Sequence, residues 1–181
     1  RFPMMAGMFC TQYLIRATGS KGKVAAISNL ICAVMCIAVS FTDSMPSLLL
    51  FFTLGSILHF FMGMANAAGN ILVADTVEYT EYKTGKRVDG AITSFVSFFN
   101  KVGIAVGTAL VPLTLAITGY VPNMAQSARV ITGIMACMYY IPAVLALVAG
   151  VAFLGYKLDN KKVEEIVSIL QDRRAKSGAG I

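Results

Sequence analysis

The sequence predicts an all-α transmembrane protein, and three observations predict it: the composition, the length of the apolar runs and the distribution of basic residues. Of the 181 residues, 57% are hydrophobic and 13% are charged, and the mean hydropathy is +0.73. Soluble domains carry about a quarter charged residues, which cover the surface that faces water. A chain with so few charges is therefore predicted to lie in lipid.

Five apolar runs alternate with short polar connections, and each run is interpreted as a membrane helix. A complete crossing needs roughly 20 apolar residues, because a helix rises ~1.5 Å per residue and the hydrocarbon core is ~30 Å thick. The first run is too short, so we expect about four complete spans plus the end of a fifth, in a chain truncated at its N-terminus. Within a bundle over residues 1–158, the predicted spans are 1–15, 24–41, 48–74, 91–118 and 130–156.

The basic residues predict the orientation. The formal net charge is +6, but no basic patch is interleaved with aromatic residues, so we do not expect a nucleic-acid partner. Three basic residues lie in 16–23, three in 75–90 and six after 156, which makes twelve of the fifteen in the chain. Alternation places these three regions on one side of the membrane. Because cytoplasmic loops are enriched in Lys and Arg, the C-terminus is predicted to be cytoplasmic.

Residues 159–181 are predicted to form an amphipathic cytoplasmic tail. Asp159 can cap a helix, and apolar side chains recur at helical spacing after it. One interpretation is a helix along the membrane surface, held partly by anionic lipid headgroups. A solvated amphipathic tail is an equal alternative. The apolar positions are Val163, Ile166, Val167 and Leu170.

Lys101 is the most informative single residue. It lies ten residues inside the fourth predicted span, or ~15 Å along a helix, which is close to the bilayer midplane. A lysine there costs at least ~2.5–3.5 kcal/mol on insertion scales, so it is expected to face a cavity or a counter-charge. The apolar runs of this chain contain no acid, which indicates a partner acid or a substrate supplied from elsewhere. The alternative is a purely structural ion pair.

Polar residues accompany Lys101 along one predicted helix face. Ser94, Ser97 and Thr108 follow the same course of i, i+3, i+7 and i+14 positions. Such a stripe is typical of a helix that lines an aqueous cavity. Individually, Ser and Thr in membrane helices commonly bond to their own backbone, which is the structural alternative for Ser94 and Thr108.

The connection 75–90 is rich in charge of both signs. One interpretation is a solvated loop. Another is a set of salt bridges that a partner surface can make and break, biasing a transporter between access states. A third is a metal-dependent membrane enzyme that uses Asp75, Glu78 and Glu81, although no His or Cys accompanies them. The candidate set, called the cytoplasmic latch below, is Asp75, Glu78, Glu81, Lys83, Arg87 and Asp89.

The same stretch resembles a known family. Ala-Asp-Thr-Val-Glu-Tyr at 74–79, followed by Lys-Thr-Gly-Lys-Arg at 83–87, is similar to the signature before the eleventh helix of the glycoside–pentoside–hexuronide:cation symporters. The resemblance covers most of residues 50–160. Further similar segments are Phe99-Asn100-Lys101-Val102-Gly103, Thr118-Gly119-Tyr120-Val121-Pro122-Asn123, Ile141-Pro142-Ala143 and Tyr156-Lys157-Leu158.

This resemblance implies the C-terminal part of a twelve-helix major facilitator fold in a cell (inner) membrane. The family couples uptake of glycosides, pentosides or hexuronides to sodium or proton entry by alternating access. By similarity to the melibiose permease of this family, Lys101, Ser97 and Asn100 are expected near the sugar and cation sites. Asp75 and Arg87 match charged residues of the latch between the two six-helix halves.

The resemblance also implies what this chain lacks. The acids that bind the coupling cation and most sugar contacts belong to the N-terminal half of the family fold, which is the expected protein partner. No other cofactor is expected. The alternative is a remnant or half-transporter that does not transport by itself.

Overall fold

A computed structural model describes residues 1–44, 47–156 and 160–178 of the chain, and this described part is helical, without strands. The polar turns that separate the helices are short. A 3-10 turn, Phe41–Ser44, follows the second helix, and a π-helical segment, Ala136–Tyr140, lies in the last span. The α-helices are α1 Phe2–Thr18, α2 Lys21–Ser40, α3 Leu48–Thr84, α4 Asp89–Thr118, α5 Ala128–Met135, α6 Ile141–Leu154 and α7 Asn160–Gly178.

Four helices of the described part are long and apolar enough to cross a membrane. They are α2, α3, α4 and the continuous helix Ala128–Leu154, which comprises α5, the π segment and α6. The predicted all-α transmembrane class is confirmed. The remaining apolar helix, α1, has 17 residues and corresponds to the shorter first run.

Helix α3 differs from the prediction at its C-terminal end. The connection 75–90 was expected to begin where the span ends, but α3 continues to Thr84 and is 37 residues long, or ~55 Å. Charge ends a membrane span without ending a helix, since Glu and Lys are good helix formers. Gly85 ends α3 in the left-handed conformation at φ 69, and its N–H donates to the Glu81 carbonyl. Asp75 and Glu78 therefore lie on a helix rather than in a loop.

Helices α1 and α3 cross with their backbones in contact. A Cβ atom added to Gly7 would overlap the carbonyl of Phe60, and one added to Gly63 would overlap the carbonyl of Met4. The buried Thr11 hydroxyl donates to the Gly7 carbonyl at 2.9 Å, so it needs no partner on α3. Small residues permit such approaches between membrane helices, where close packing drives association.

Helix α2 is the centre of the bundle, with α3 on one side and α6 on the other. Its Cys32, Cys36 and Val39 form a buried apolar cluster with Leu58 of α3 and Ala143 of α6. The two cysteines act here as small core side chains.

The last span is not a uniform α-helix. In the π segment, the N–H of Ile141 donates to the carbonyl of Ala136, five residues earlier. Pro142 explains the wider turn, because its ring would clash with the carbonyl four residues before it in a regular α-helix. The segment divides the span into α5, which packs on α4, and α6, which packs on α2.

The tail forms helix α7, and its apolar stripe packs on protein. Val163, Ile166 and Leu170 are only 5%, 5% and 4% exposed, and α7 contacts α3. The guanidinium of Arg173 lies 5.5 Å from the ring centre of Tyr82 near the end of α3. The predicted apolar stripe is present and packs on protein, and the part played by lipid headgroups stays a prediction. The predicted cap, Asp159, lies outside the described residues.

Candidate functional site

The polar stripe of α4 is open. Ser97, Asn100 and Lys101 are exposed, and no residue of α4 is buried. Within the described part of the chain, none of the three has a side-chain hydrogen bond or ion pair. Lys101 lies twelve residues after Asp89, the first residue of α4, or ~18 Å along the helix.

The hydroxyl groups beside Lys101 do not behave alike. Thr108 donates to the backbone carbonyls of Ile104 and Ala105 at 2.9 and 3.0 Å, so the structural alternative is confirmed for this residue. Ser94 and Ser97 keep free hydroxyls within the described part of the chain. Ser97 and Lys101 therefore offer donors and acceptors from one face of α4.

A buried ion pair joins α2 to α3 at the end of the bundle that carries the basic connections. The ammonium of Lys21 donates to Asp75 Oδ1 at 2.8 Å, and the two side chains are 18% and 5% exposed. Lys21 is the first residue of α2, which follows the left-handed Gly19. Burying a carboxylate costs several kcal/mol unless a cation compensates it, so this pair fixes how the two helices meet.

Tyr156, just after α6, completes this cluster. Its ring packs where a Cβ on Gly22 would otherwise lie. Burial, together with the nearby Asp75 carboxylate, raises the pKa of the Tyr156 phenol to about 12. The phenol oxygen and Asp75 Oδ2 are both buried, although their geometry falls short of a hydrogen bond. The start of α2, the end of α6 and an inner turn of α3 thus meet at Lys21, Tyr156 and Asp75.

Three other latch residues form a separate group around Arg87, in which the Glu81 side chain is 12% exposed and the Asp89 side chain 42%. Arg87 Nη1 lies 3.7 Å from Glu81 Oε2, and Arg87 Nε donates to Asp89 Oδ2. The hydrogen bond and charge of Asp89 raise the pKa of the Arg87 guanidinium. The side chains of Arg87 and Asp89 are 56% and 42% exposed, so water and salt weaken this pair in particular.

The last two latch residues have different surroundings. The Lys83 ammonium lies 5.7 Å from the ring centre of Tyr79. Glu78 is half-buried and faces a cavity of about 410 Å³ between α3 and α7, which Val163 and Val167 also line. The structure thus divides the predicted latch into Asp75, which is paired with Lys21, a group around Arg87, and two flanking residues.

Sequence reasoning missed Lys21 and Tyr156. Lys21 is 54 residues from Asp75 along the chain, so no local spacing connects them. The available signal was Asp75 itself, since an acid at the predicted end of a span requires a buried or interfacial cation. The carboxylates of this region do not assemble a metal site: within the described ranges, no group of three His, Cys, Asp or Glu side chains could hold a metal ion.

The fold and the site define the class of protein, which is a multi-pass helical membrane bundle with an open polar face. The chain belongs to the major facilitator sugar transporters, since the family described as MFS/sugar transport protein matches residues 2–160. The family consists of transporters, which sets aside the membrane-enzyme alternative.

Individual relatives agree with the glycoside–pentoside–hexuronide resemblance. A glucuronide carrier protein homolog of Escherichia coli (strain K12) is 40% identical over 103 residues, which are 57% of this chain and 22% of that protein. An isoprimeverose transporter of Lactiplantibacillus pentosus is 35% identical over 129 residues, which are 70% of this chain and 26% of that protein. The chain thus matches about a quarter of the length of these relatives.

Proposed function

We propose that this chain is the C-terminal part of a symporter that couples uptake of a glycoside, pentoside or hexuronide to sodium or proton entry. The observation that carries the proposal is the open face of α4, where Lys101 has no counter-charge in the described part of the chain. A cation placed in a membrane helix requires a partner. An acid of the N-terminal half, together with a bound sugar, meets that requirement.

The substrate class follows from chemistry and from relatives. Ser97, Asn100 and Lys101 present hydroxyl, amide and ammonium groups, which suit sugar hydroxyls and a uronate carboxylate. The names of two relatives refer to glucuronide and isoprimeverose. The coupling cation, in this proposal, binds mainly to acids of the N-terminal half, and Lys101 responds to its arrival by changing partners.

The latch works in two parts under this proposal. The buried Lys21–Asp75 pair is a fixed brace inside this half, because separating the two side chains would leave the Asp75 carboxylate buried without a counter-charge. Arg87 is 56% exposed and its contact with Glu81 is long at 3.7 Å, so exchanging its partners for charges on the other half costs less than separating the buried pair. Glu81, Arg87 and Asp89 are therefore the part that alternates between access states.

The orientation belongs to the same proposal. By the alternation of the spans along the sequence, twelve basic residues fall on the side that carries the Lys21–Asp75 pair. We assign this side to the cytoplasm and the protein to the cell (inner) membrane.

Uptake of a panel of labelled glycosides, pentosides and hexuronides by the full-length protein tests the function. The assay is run in membrane vesicles with an imposed sodium gradient, an imposed proton gradient, or neither. We expect one sugar class to accumulate above its external concentration only with one cation gradient. Equilibration that ignores both gradients would contradict symport, and no uptake of any sugar would contradict the proposed function.

A further inference from the structure

The last span changes its packing partner at the π segment. Before it, α5 packs on the end of α4, where a Cβ on Gly133 would overlap the methyl groups of Thr114 and Thr118. After it, α6 packs on α2, where a Cβ on Gly150 would meet the Leu30 side chain and the Ala26 carbonyl. Both contacts are tight, but they tie the two parts of one helix to different neighbours.

Besides the π segment of the last span, α4 also has an interruption in its backbone hydrogen bonding. Pro112 interrupts the hydrogen bonding of α4, because proline has no N–H to give to the carbonyl four residues before it. Thr114 Oγ1 lies 3.1 Å from Cys137 Sγ in the π segment, so Pro112, two residues earlier on α4, lies within ~3 Å of that level along the helix. Both helices of this hairpin therefore have weakened backbone bonding at one level.

We propose that this level is a hinge. The hairpin tip, residues 113–135, moves as one unit against the bundle of α2, α3 and α6, with the π segment and Pro112 as its two pivots. The proposal rests on the alternating-access function above. The tip would open or close one end of the α4 polar face while the packed α2–α6 contact stays fixed. π-helical turns and proline breaks are where helices bend with least cost.

Distances between spin labels in the full-length protein, reconstituted in nanodiscs without substrate, test the hinge. Exposed positions serve as label sites in a cysteine-free background. Phe41 and Ile131 report the tip against the bundle, Ile117 and Ile131 report within the tip, and Ile27 and Leu154 report within the bundle. We expect the distribution of distances to be broader for the tip–bundle pair than for the two control pairs, which lie within the tip and within the bundle. Three equally narrow distributions would overturn the hinge.

Proline replacement provides the second arm. The double variant Pro112→Ala/Pro142→Ala restores continuous α-helical hydrogen bonding, so we expect a narrower tip–bundle distribution and severalfold slower sugar uptake with sugar binding retained. Pro122→Ala, in the turn inside the tip, is the matched control and leaves both unchanged. An unchanged distribution in the double variant would overturn the hinge. Absence of sugar uptake by the unmodified protein would instead overturn the proposed function. The two failures are distinguishable, because the distances between labels are measured without transport.

Discussion

Among single residues, Lys21 has the clearest energetic role, since it compensates the buried Asp75 carboxylate. We predict that Lys21→Ala destabilises the protein by about 3 kcal/mol, near the lower end for broken buried pairs because Lys21 is partly exposed. The matched control is Lys23→Ala, an exposed lysine two residues further along α2. Thermal unfolding, monitored through the labelling of the buried Cys32 and Cys36 by a thiol-reactive dye, measures the difference in stability between the two variants.

The double variant Lys21→Met/Asp75→Leu separates pairing from packing. Removing both charges leaves no uncompensated group, so most of the lost stability should return. A melting temperature for Lys21→Ala equal to that of Lys23→Ala would mean that the pair contributes nothing to the fold.

Tyr156 gives a prediction in alkaline solution. Its ordinary pKa of 10.0 is raised to about 12, so the folded protein holds the phenol proton more tightly than the unfolded chain. The associated stability is complete below pH 10 and is lost as the pH rises through 12. In the unmodified protein, the phenolate absorbance of Tyr156, identified by its absence from Tyr156→Phe, should appear near pH 12. In Asp75→Asn it should appear at lower pH. Identical titration of Tyr156 in the unmodified protein and in Asp75→Asn would rule out the influence of Asp75.

At the scale of helices, the α1–α3 crossing depends on glycine. Gly63→Ala forces the backbones apart and should cost ~1–3 kcal/mol, as overpacked sites do. Gly69→Ala is a control on the same helix, because nothing lies within 4 Å of its added Cβ, and it should be neutral or slightly stabilising. Thermal unfolding of the two variants compares them. Equal melting temperatures would contradict the close crossing.

Helix α7 provides the second prediction at this scale. Ile166→Asp places a charge in the buried interface with α3 and should release the tail, whereas Glu165→Ala, at an exposed position, should not. Limited trypsin digestion from the side of the membrane that carries the tail measures release through faster cleavage at Arg173. Equal cleavage rates would show that the stripe does not hold the tail to the protein.

The sequence predicted helices where apolar length controls the outcome and missed features that depend on contacts. Spans and their order follow from the lipid core. The continuation of α3 to Thr84 was missed because hydropathy marks the membrane, not the helix. The tail stripe was recognised, but its partner, α3, was not, since a periodic pattern gives a face without saying what covers it. Pro142 signalled a break in the last span, and the π segment is its structural form.

For the whole molecule, the candidate site was only partly accessible from sequence. Lys101 could be identified because its cost in lipid is a property of one residue and its depth. The division of the latch into a buried brace and a separate group around Arg87 could not be predicted, since it depends on Lys21 and Tyr156 reaching Asp75 from distant parts of the chain. The roles of Lys101, Ser97 and Asn100 stay predictions.

The most direct test of the account is sugar accumulation by the full-length protein carrying Lys101→Val. Lys86→Val, an exposed lysine outside both the latch and the α4 stripe, is the control for loss of one positive charge. The account predicts that Lys101→Val reaches the membrane at normal levels but does not accumulate sugar against its gradient, while Lys86→Val accumulates it normally. Accumulation by Lys101→Val equal to that of the unmodified protein would contradict the proposed role of this amine in coupling.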